Sequence, residues 1–162
     1  KIKKLNLITF KAAHEKLSVQ RQANLEFTSI ENIRKRSQLS CDAEMEKVFL
    51  LLWSLPDLKK TKKTDLLTRE GYFTIMRAVH AALQPQRNLA QLDKLIAQDY
   101  EDDLEKFGEF NKRNFCNSLF ELVDMWCDGL EPELYAAFAW ALLVSIVDPS
   151  RGALTRRPIR YP

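Results

Sequence analysis

Glycine and proline are scarce in this chain, 4 and 6 among 162 residues. That is too few turn residues for a β-sandwich, and it favours helices. Cysteine (3) and histidine (2) are equally thin. Cys41, Cys116 and Cys127 form no C-x-x-C pair, and His14 and His80 are remote from them. About four N/S ligands must converge on a zinc ion, and no spaced set supplies them. The three thiols read as buried or half-buried groups in a reducing, cytoplasmic compartment. The longest apolar run, within Tyr135–Val147, is too short to span a bilayer. The chain starts at Lys1 without a signal-peptide pattern, and is expected to be a segment of a longer protein. No G-x-x-x-x-G-K-[ST], G-x-G-x-x-G or nucleophile elbow occurs. The chain therefore reads as non-enzymatic, with no cofactor and no metal.

What is present is the composition of a folded chain, 46% hydrophobic and 29% charged. The formal net charge of +3 hides an asymmetry. Lys1–Ser40 has nine Lys/Arg against three acids, and Arg151–Pro162 has four Arg and no acid. The body between them, Cys41–Ser150, carries −7, from 12 basic and 19 acidic residues. Two basic arms thus flank an acidic body. They can fold back on it or hold an acidic partner. Arg151, Arg156, Arg157 and Arg160 of the tail are partner-binding candidates, together with Lys59, Lys60, Lys62 and Lys63 of a lysine-rich loop.

Apolar spacing at i, i+3, i+4 predicts a run of helices. Phe10, Ala13, His14 and Leu17 mark one near the N-terminus. Thr28 and Glu31 read as a capping box for a second, ending near Gln38. Ser40 is the expected cap of a helix carrying Met45, Val48, Phe49, Leu52 and Trp53, stopped by Pro56. Asp57–Leu67 reads as a polar loop. Thr68 caps a helix with Tyr72, Phe73, Ile75, Met76 and Val79, ended by Pro85. Leu89–Tyr100 marks the next, broken at Gly108. Asn111 precedes a helix with Phe115, Leu119, Leu122, Val123 and Trp126. Pro132 opens the last, lined by Tyr135, Phe138, Leu142 and Ile146. Convincing strands are absent, and the class is all-α.

Two stretches match each other. Leu66-Leu67-Thr68-Arg69-Glu70-Gly71-Tyr72-Phe73 parallels Glu109-Phe110-Asn111-Lys112-Arg113-Asn114-Phe115-Cys116. Each has an apolar residue, a capping residue, three mostly polar residues and an aromatic. Each resembles the end of an EF-hand loop entering its exit helix, and the separation of Leu67 from Phe110 is close to that of paired EF-hands. Over Cys41–Val147 the chain resembles the degenerate EF-hand-like domains of large eukaryotic cytoskeletal and ciliary proteins, in which a phrase like Phe115–Trp126 follows the second loop. Charge and resemblance together divide the chain into three expected units: residues 1–40 a basic N-terminal arm with short helices, 41–150 an EF-hand-like pair of helix–loop–helix units, and 151–162 an extended basic C-terminal tail. Leu67 and Phe110 are expected to pair where the loops meet.

A calcium loop needs oxygens at positions 1, 3, 5 and 9, a carbonyl at 7, Gly at 6 and a bidentate Glu at 12. Taking Leu67 as position 8, the first loop offers Lys60, Lys62 and Thr64 at positions 1, 3 and 5, and Gly71 at 12. Ammonium groups replace carboxylates and the bidentate ligand is gone. Taking Phe110 as position 8, the second offers Asp103, Glu105, Gly108 and Asn111 acceptably, but Phe107 at 5 and Asn114 at 12. The implied role is a calcium-independent protein-interaction or scaffold module of a larger cytoskeletal protein, ciliary or microtubule-associated. Its expected partner is a protein, an acidic one such as tubulin or another cytoskeletal protein, with no membrane involved. Trp53, Phe73, Met76, Phe120 and Trp126 could line a groove for a partner helix or simply make the core. The alternatives are a nucleic-acid-binding helical domain using the basic arms, which the acidic body disfavours, and a weak calcium sensor through the second loop. Adjacent Glu101-Asp102-Asp103 point different ways on a helix and read as a solvated face. His80 reads as a surface or half-buried side chain.

Overall fold

In the computed structural model, residues 29–85, 87–127 and 129–155 are described; the expected helix at Phe10–Leu17 and the arginines 156, 157 and 160 lie outside them. Six helices follow one another among the described residues: α1 Ile30–Leu39, α2 Ala43–Trp53, α3 Arg69–Leu83, α4 Leu89–Phe107, α5 Lys112–Trp126 and α6 Pro132–Ile146. The chain is mostly helical, as its composition predicts. No helix among the described residues is long and apolar enough to cross a membrane.

The caps explain the boundaries. Thr68 and Asn111 cap α3 and α5 as expected, accepting from the backbone N–H of Gly71 and Asn114. Thr28, the expected cap of α1, lies outside the described residues; Ser29 caps α1 by accepting from Asn32 N–H, and Glu31 pairs with Lys35 at 2.9 Å. One cap shifts. Asp42, not Ser40, caps α2, taking N–H bonds from Glu44 and Met45 at 3.0 Å each. A carboxylate there also complements the helix dipole, while Ser40 ends α1. Asn88 and Gln91 form a reciprocal capping box on α4.

Helix α6 is the hub: it packs on α2, α3 and α5, while α3 packs on α4 and α2 on α5. It carries no charge from Leu134 through Val147, and Tyr135, Phe138, Ala139, Leu142 and Ile146 are buried. Burying a large apolar side chain contributes about 1.5–3 kcal/mol, which is why an all-apolar helix ends inside. Trp53 and Phe115 close the α2–α5 seam, ring centroids 5.3 Å apart. Arg36 Nε stands 3.4 Å from Asp124, and the Tyr135 hydroxyl donates to the same carboxylate, tying α1 and α6 to α5.

The tail does not begin as an extension. Val147–Asp148 (β1) and Ala153–Leu154 (β2) form a two-stranded antiparallel hairpin, with Val147 opposite Leu154. Ala153 and Leu154 are buried. Leu154 N–H donates to Asp57 Oδ2 at 2.7 Å, joining residues 97 apart, and Thr155 N–H donates to Ile146 O. The expected extended tail is corrected here: its first residues, Arg151–Thr155, turn back onto the fold because Ala-Leu offers apolar surface and Gly152 takes a left-handed φ of +58°. Asp57→Ala is expected to lower unfolding stability by about 1.5–3 kcal/mol, the usual range for a hydrogen bond to a charged group. A denaturation midpoint equal to the parent's would show that the hairpin is not held by this contact.

Candidate functional site

The two loops meet where expected: Leu67 N–H donates to Phe110 O at 2.8 Å. What surrounds that bond differs from an ion-binding pair. In the first loop, residues 60–67 close on themselves. Lys60 bridges Leu67, Thr61 N–H donates to Leu66 O, and Thr68 N–H donates to Lys59 O. The hydroxyls of Thr61 and Thr64 bond across the turn at 2.5 Å, and Asp65 takes a left-handed φ of 51°. Leu55, Leu58 and Leu67 are buried, so the segment is less polar in role than in composition. Thr64 therefore spends its oxygen inside the turn. Lys60 lies 4.4 Å above the Trp53 ring, Lys59 pairs with Glu70 at 2.6 Å, and Lys62 and Lys63 are exposed.

Gly71, at the expected twelfth position, has no room for a side chain. A Cβ there would overlap the Lys59 carbonyl oxygen and lie 2.7 Å from Leu67 Cδ1 and 3.0 Å from Lys59 N. The backbone of Lys59 occupies the space that a bidentate carboxylate would need.

In the second loop, α4 runs on through Phe107. Asp103, Glu105 and Phe107 are therefore helical residues, and only Gly108–Asn111 remain as the link. Gly108 adopts φ +77° there. The Asn114 amide satisfies two carbonyls of the link: its Nδ2 donates to Glu109 O at 2.8 Å and to Phe107 O at 3.4 Å. Glu109 is position 7, whose carbonyl would face calcium in a working loop. An amide N–H₂ satisfies that lone pair with a neutral donor. Among the described residues no three His, Cys, Asp or Glu side chains come together as a metal site.

Asp103 is likewise engaged. Its Oδ2 accepts from the Tyr72 hydroxyl at 2.9 Å and from Ser118 Oγ at 2.6 Å, linking α4 to α3 and α5. The Tyr72 ring packs in a cluster with Tyr100 and Phe110, at 5.2 and 4.9 Å. Burial pushes the Tyr72 phenol up, with Asp103 adding to it. Burial also raises the Asp103 carboxyl above its ordinary value, against the hydrogen bonds from Ser118 and Tyr72; Glu121 and Asp99 add to the rise. A folded-state value above the unfolded one means that the folded chain gains its proton first as pH falls. Stability from this group is greatest below the ordinary carboxylate range and is lost as pH rises through the raised value. Asp103→Asn is expected to flatten the pH dependence of the urea midpoint from the ordinary aspartate range upward. A slope equal to the parent's would sink this assignment. Of the acidic trio, Glu101 and Asp102 are exposed and only Asp103 turns inward.

His80 departs from its expected place: it is buried in the α3–α4 seam, with Nε2 3.5 Å from Asp99 Oδ2. Cys41 is exposed, Cys116 half-buried and Cys127 buried; burial lifts the Cys116 thiol to about 11, so it is a poor nucleophile.

The residues that could line a groove or make the core sit in the core or against it. Trp53, Met76 and Trp126 are buried and Phe73 and Phe120 half-buried, with α6 lying against α2, α3 and α5. Of the basic candidates, the four loop lysines share one turn, and Arg151 is exposed at the hairpin turn. Sequence reasoning missed the Asn114 amide, the covered face of Gly71 and the Asp57–Leu154 bond. Each depends on a contact that no local pattern encodes. Comparison of the chain with protein-family models, with curated proteins and with solved structures finds no match.

Proposed function

We propose that Ala43–Trp126 is an EF-hand-like pair that has exchanged both ion sites for contacts within the chain, and that the protein is a non-catalytic, calcium-independent interaction module of a larger cytoskeletal protein, ciliary or microtubule-associated. The observation that carries this reading is the Asn114 amide on the Glu109 carbonyl, a neutral donor in the place of the ion. The Leu67–Phe110 bond supports the pairing, as do the seams of α2 with α5 and α3 with α4. An entering helix of one unit packing on the exit helix of the other is the arrangement such a pair requires.

The apolar groove by which a calcium sensor takes a partner helix is unavailable here because α6 is its resident. On this reading calcium has no ligand set to change and no groove to open among the described residues. Calorimetric titration with calcium is expected to give no saturable heat in the micromolar range. Micromolar affinity would overturn the reading. Asn114→Asp tests the same point differently. It sets a carboxylate against the Glu109 and Phe107 carbonyls, so the variant is expected to lose about 1–3 kcal/mol of stability. Full recovery of its melting temperature by calcium would mean that the second loop is still an ion site.

A further inference from the structure

We infer that the partner of this module is an acidic protein segment that docks on an arginine–aromatic ridge along the start of α3. The centre is Arg69, with Phe73 and Tyr100 beneath it; the turn that carries Lys62 and Lys63 is tied to the preceding residue, Thr68, through Lys59. The inference rests on the interaction-module reading and names the surface and the partner's chemistry.

Arg69 is exposed, and its guanidinium carbon sits 4.5 Å from the centroid of the Phe73 ring and 5.6 Å from that of Tyr100. Among the described residues no carboxylate pairs with it. A guanidinium stacked on aromatic faces keeps its planar fork of N–H donors free and gives up little freedom when a carboxylate arrives. Arg77, two turns along, also lies over Phe73, at 5.6 Å, but its fork is used: Nε and a terminal nitrogen hold Asp93 at 2.7 and 3.0 Å. Arg77 thus displays, within the chain, the bidentate carboxylate contact that Arg69 has open.

The surroundings carry the sign. Thr68, which precedes Arg69, is bonded through its N–H and hydroxyl to Lys59 O, so the lysine turn is anchored beside the ridge. Glu70 is neutralised by Lys59 and Asp93 by Arg77. Within Lys60–Arg69, Lys62, Lys63 and Arg69, with Lys60 over Trp53, stand against the single acid Asp65, while Asp99, Glu101 and Asp102 flank Tyr100 on α4. This is a basic island on a body of net −7. A short acidic segment can touch the island alone. A nucleic-acid duplex, with a charge about every 1.7 Å, would run on across the acidic surface and be repelled. Arg and aromatic side chains together are also the composition of energetic centres in protein interfaces.

The test uses the full chain and a fluorescent polyglutamate peptide, read by anisotropy at moderate salt with EGTA and again with calcium. The parent is expected to bind in both. Arg69→Gln should weaken binding roughly tenfold or more, the loss of one charge-assisted bidentate contact. Arg69→Lys should recover less than half of that, since an ammonium keeps the charge and gives up the fork and the stack. Lys62→Gln with Lys63→Gln should weaken binding and its salt dependence. Arg34→Gln, on α1, should leave it unchanged. A parent that ignores polyglutamate overturns the inference, as does an Arg69→Gln variant that melts and binds like the parent. Duplex DNA competing as well as the peptide overturns it too, and the protein-interaction reading with it. Binding that requires calcium would sink the calcium-independent reading while leaving the ridge in place.

Discussion

Gly71→Ala is expected to lose about 1–3 kcal/mol of stability, although alanine is the better helix former by about 1 kcal/mol. The gain in propensity is outweighed because the new Cβ meets backbone. The Lys59 carbonyl oxygen cannot rotate away as a side chain would, and it is already committed to Thr68. Either the first loop lifts off α3, breaking the Lys59–Thr68 bonds, or α3 shifts against the Leu67–Phe110 contact. Gly71→Glu, which sets an acid at the expected twelfth position, should do worse. It should bind no calcium, because Lys60 and Lys62 stand where carboxylates are required and the backbone fills the cage. Gly108→Ala is the comparison. It has open space around it and a φ of +77°, so its cost of about 1–2 kcal/mol is conformational rather than steric. Urea denaturation of the three variants, with and without calcium, checks the set. A Gly71→Ala midpoint at or above the parent's would show that the loop is not seated on α3.

Phe115→Ala and Phe138→Ala should each lower stability by about 3–5 kcal/mol, as large aromatic truncations in a packed core do. Phe138 is fully buried on α6, the helix on which α2, α3 and α5 converge. Phe115 is 2% exposed and meets Trp53 across the α2–α5 seam. Neither site can collapse easily, because each is bounded by more than one helix. Val144→Ala provides the contrast on α6 itself: 74% exposed, it should change stability by less than about 0.5 kcal/mol. Should Phe138→Ala melt as the parent does, α6 would be a loosely held occupant of the groove. The groove would then become a candidate docking site again, and the ridge at Arg69 a lesser one.

The helices, most of their ends and most of the core were legible in the chain because they depend on residues a few positions apart. Apolar spacing placed Tyr72, Val79, Phe115, Val123 and Tyr135 inward, and Thr68, Asn111, Pro56 and Pro132 marked ends, since a cap or a missing N–H acts within one turn. The cap at α2 went to Asp42 rather than Ser40 because two acceptable residues competed and only the path of the backbone chose between them. That the residues at the expected loop positions do not make a calcium ligand set was also readable, residue type by residue type. The contacts those residues make instead were not. That Gly71 lies under the Lys59 backbone, that the Asn114 amide holds the Glu109 carbonyl, and that Asp57 fastens Leu154 are contacts between segments whose separation in sequence carries no local signature. Tertiary packing decided them, because each buried backbone polar group had to find a partner once the helices had closed around it. For the same reason only the folded chain could say that α6 is inside. Its thirteen residues Leu134–Ile146 carry no charge, which predicts burial but not against which neighbours, and it is their choice of α2, α3 and α5 that only the folded chain could show.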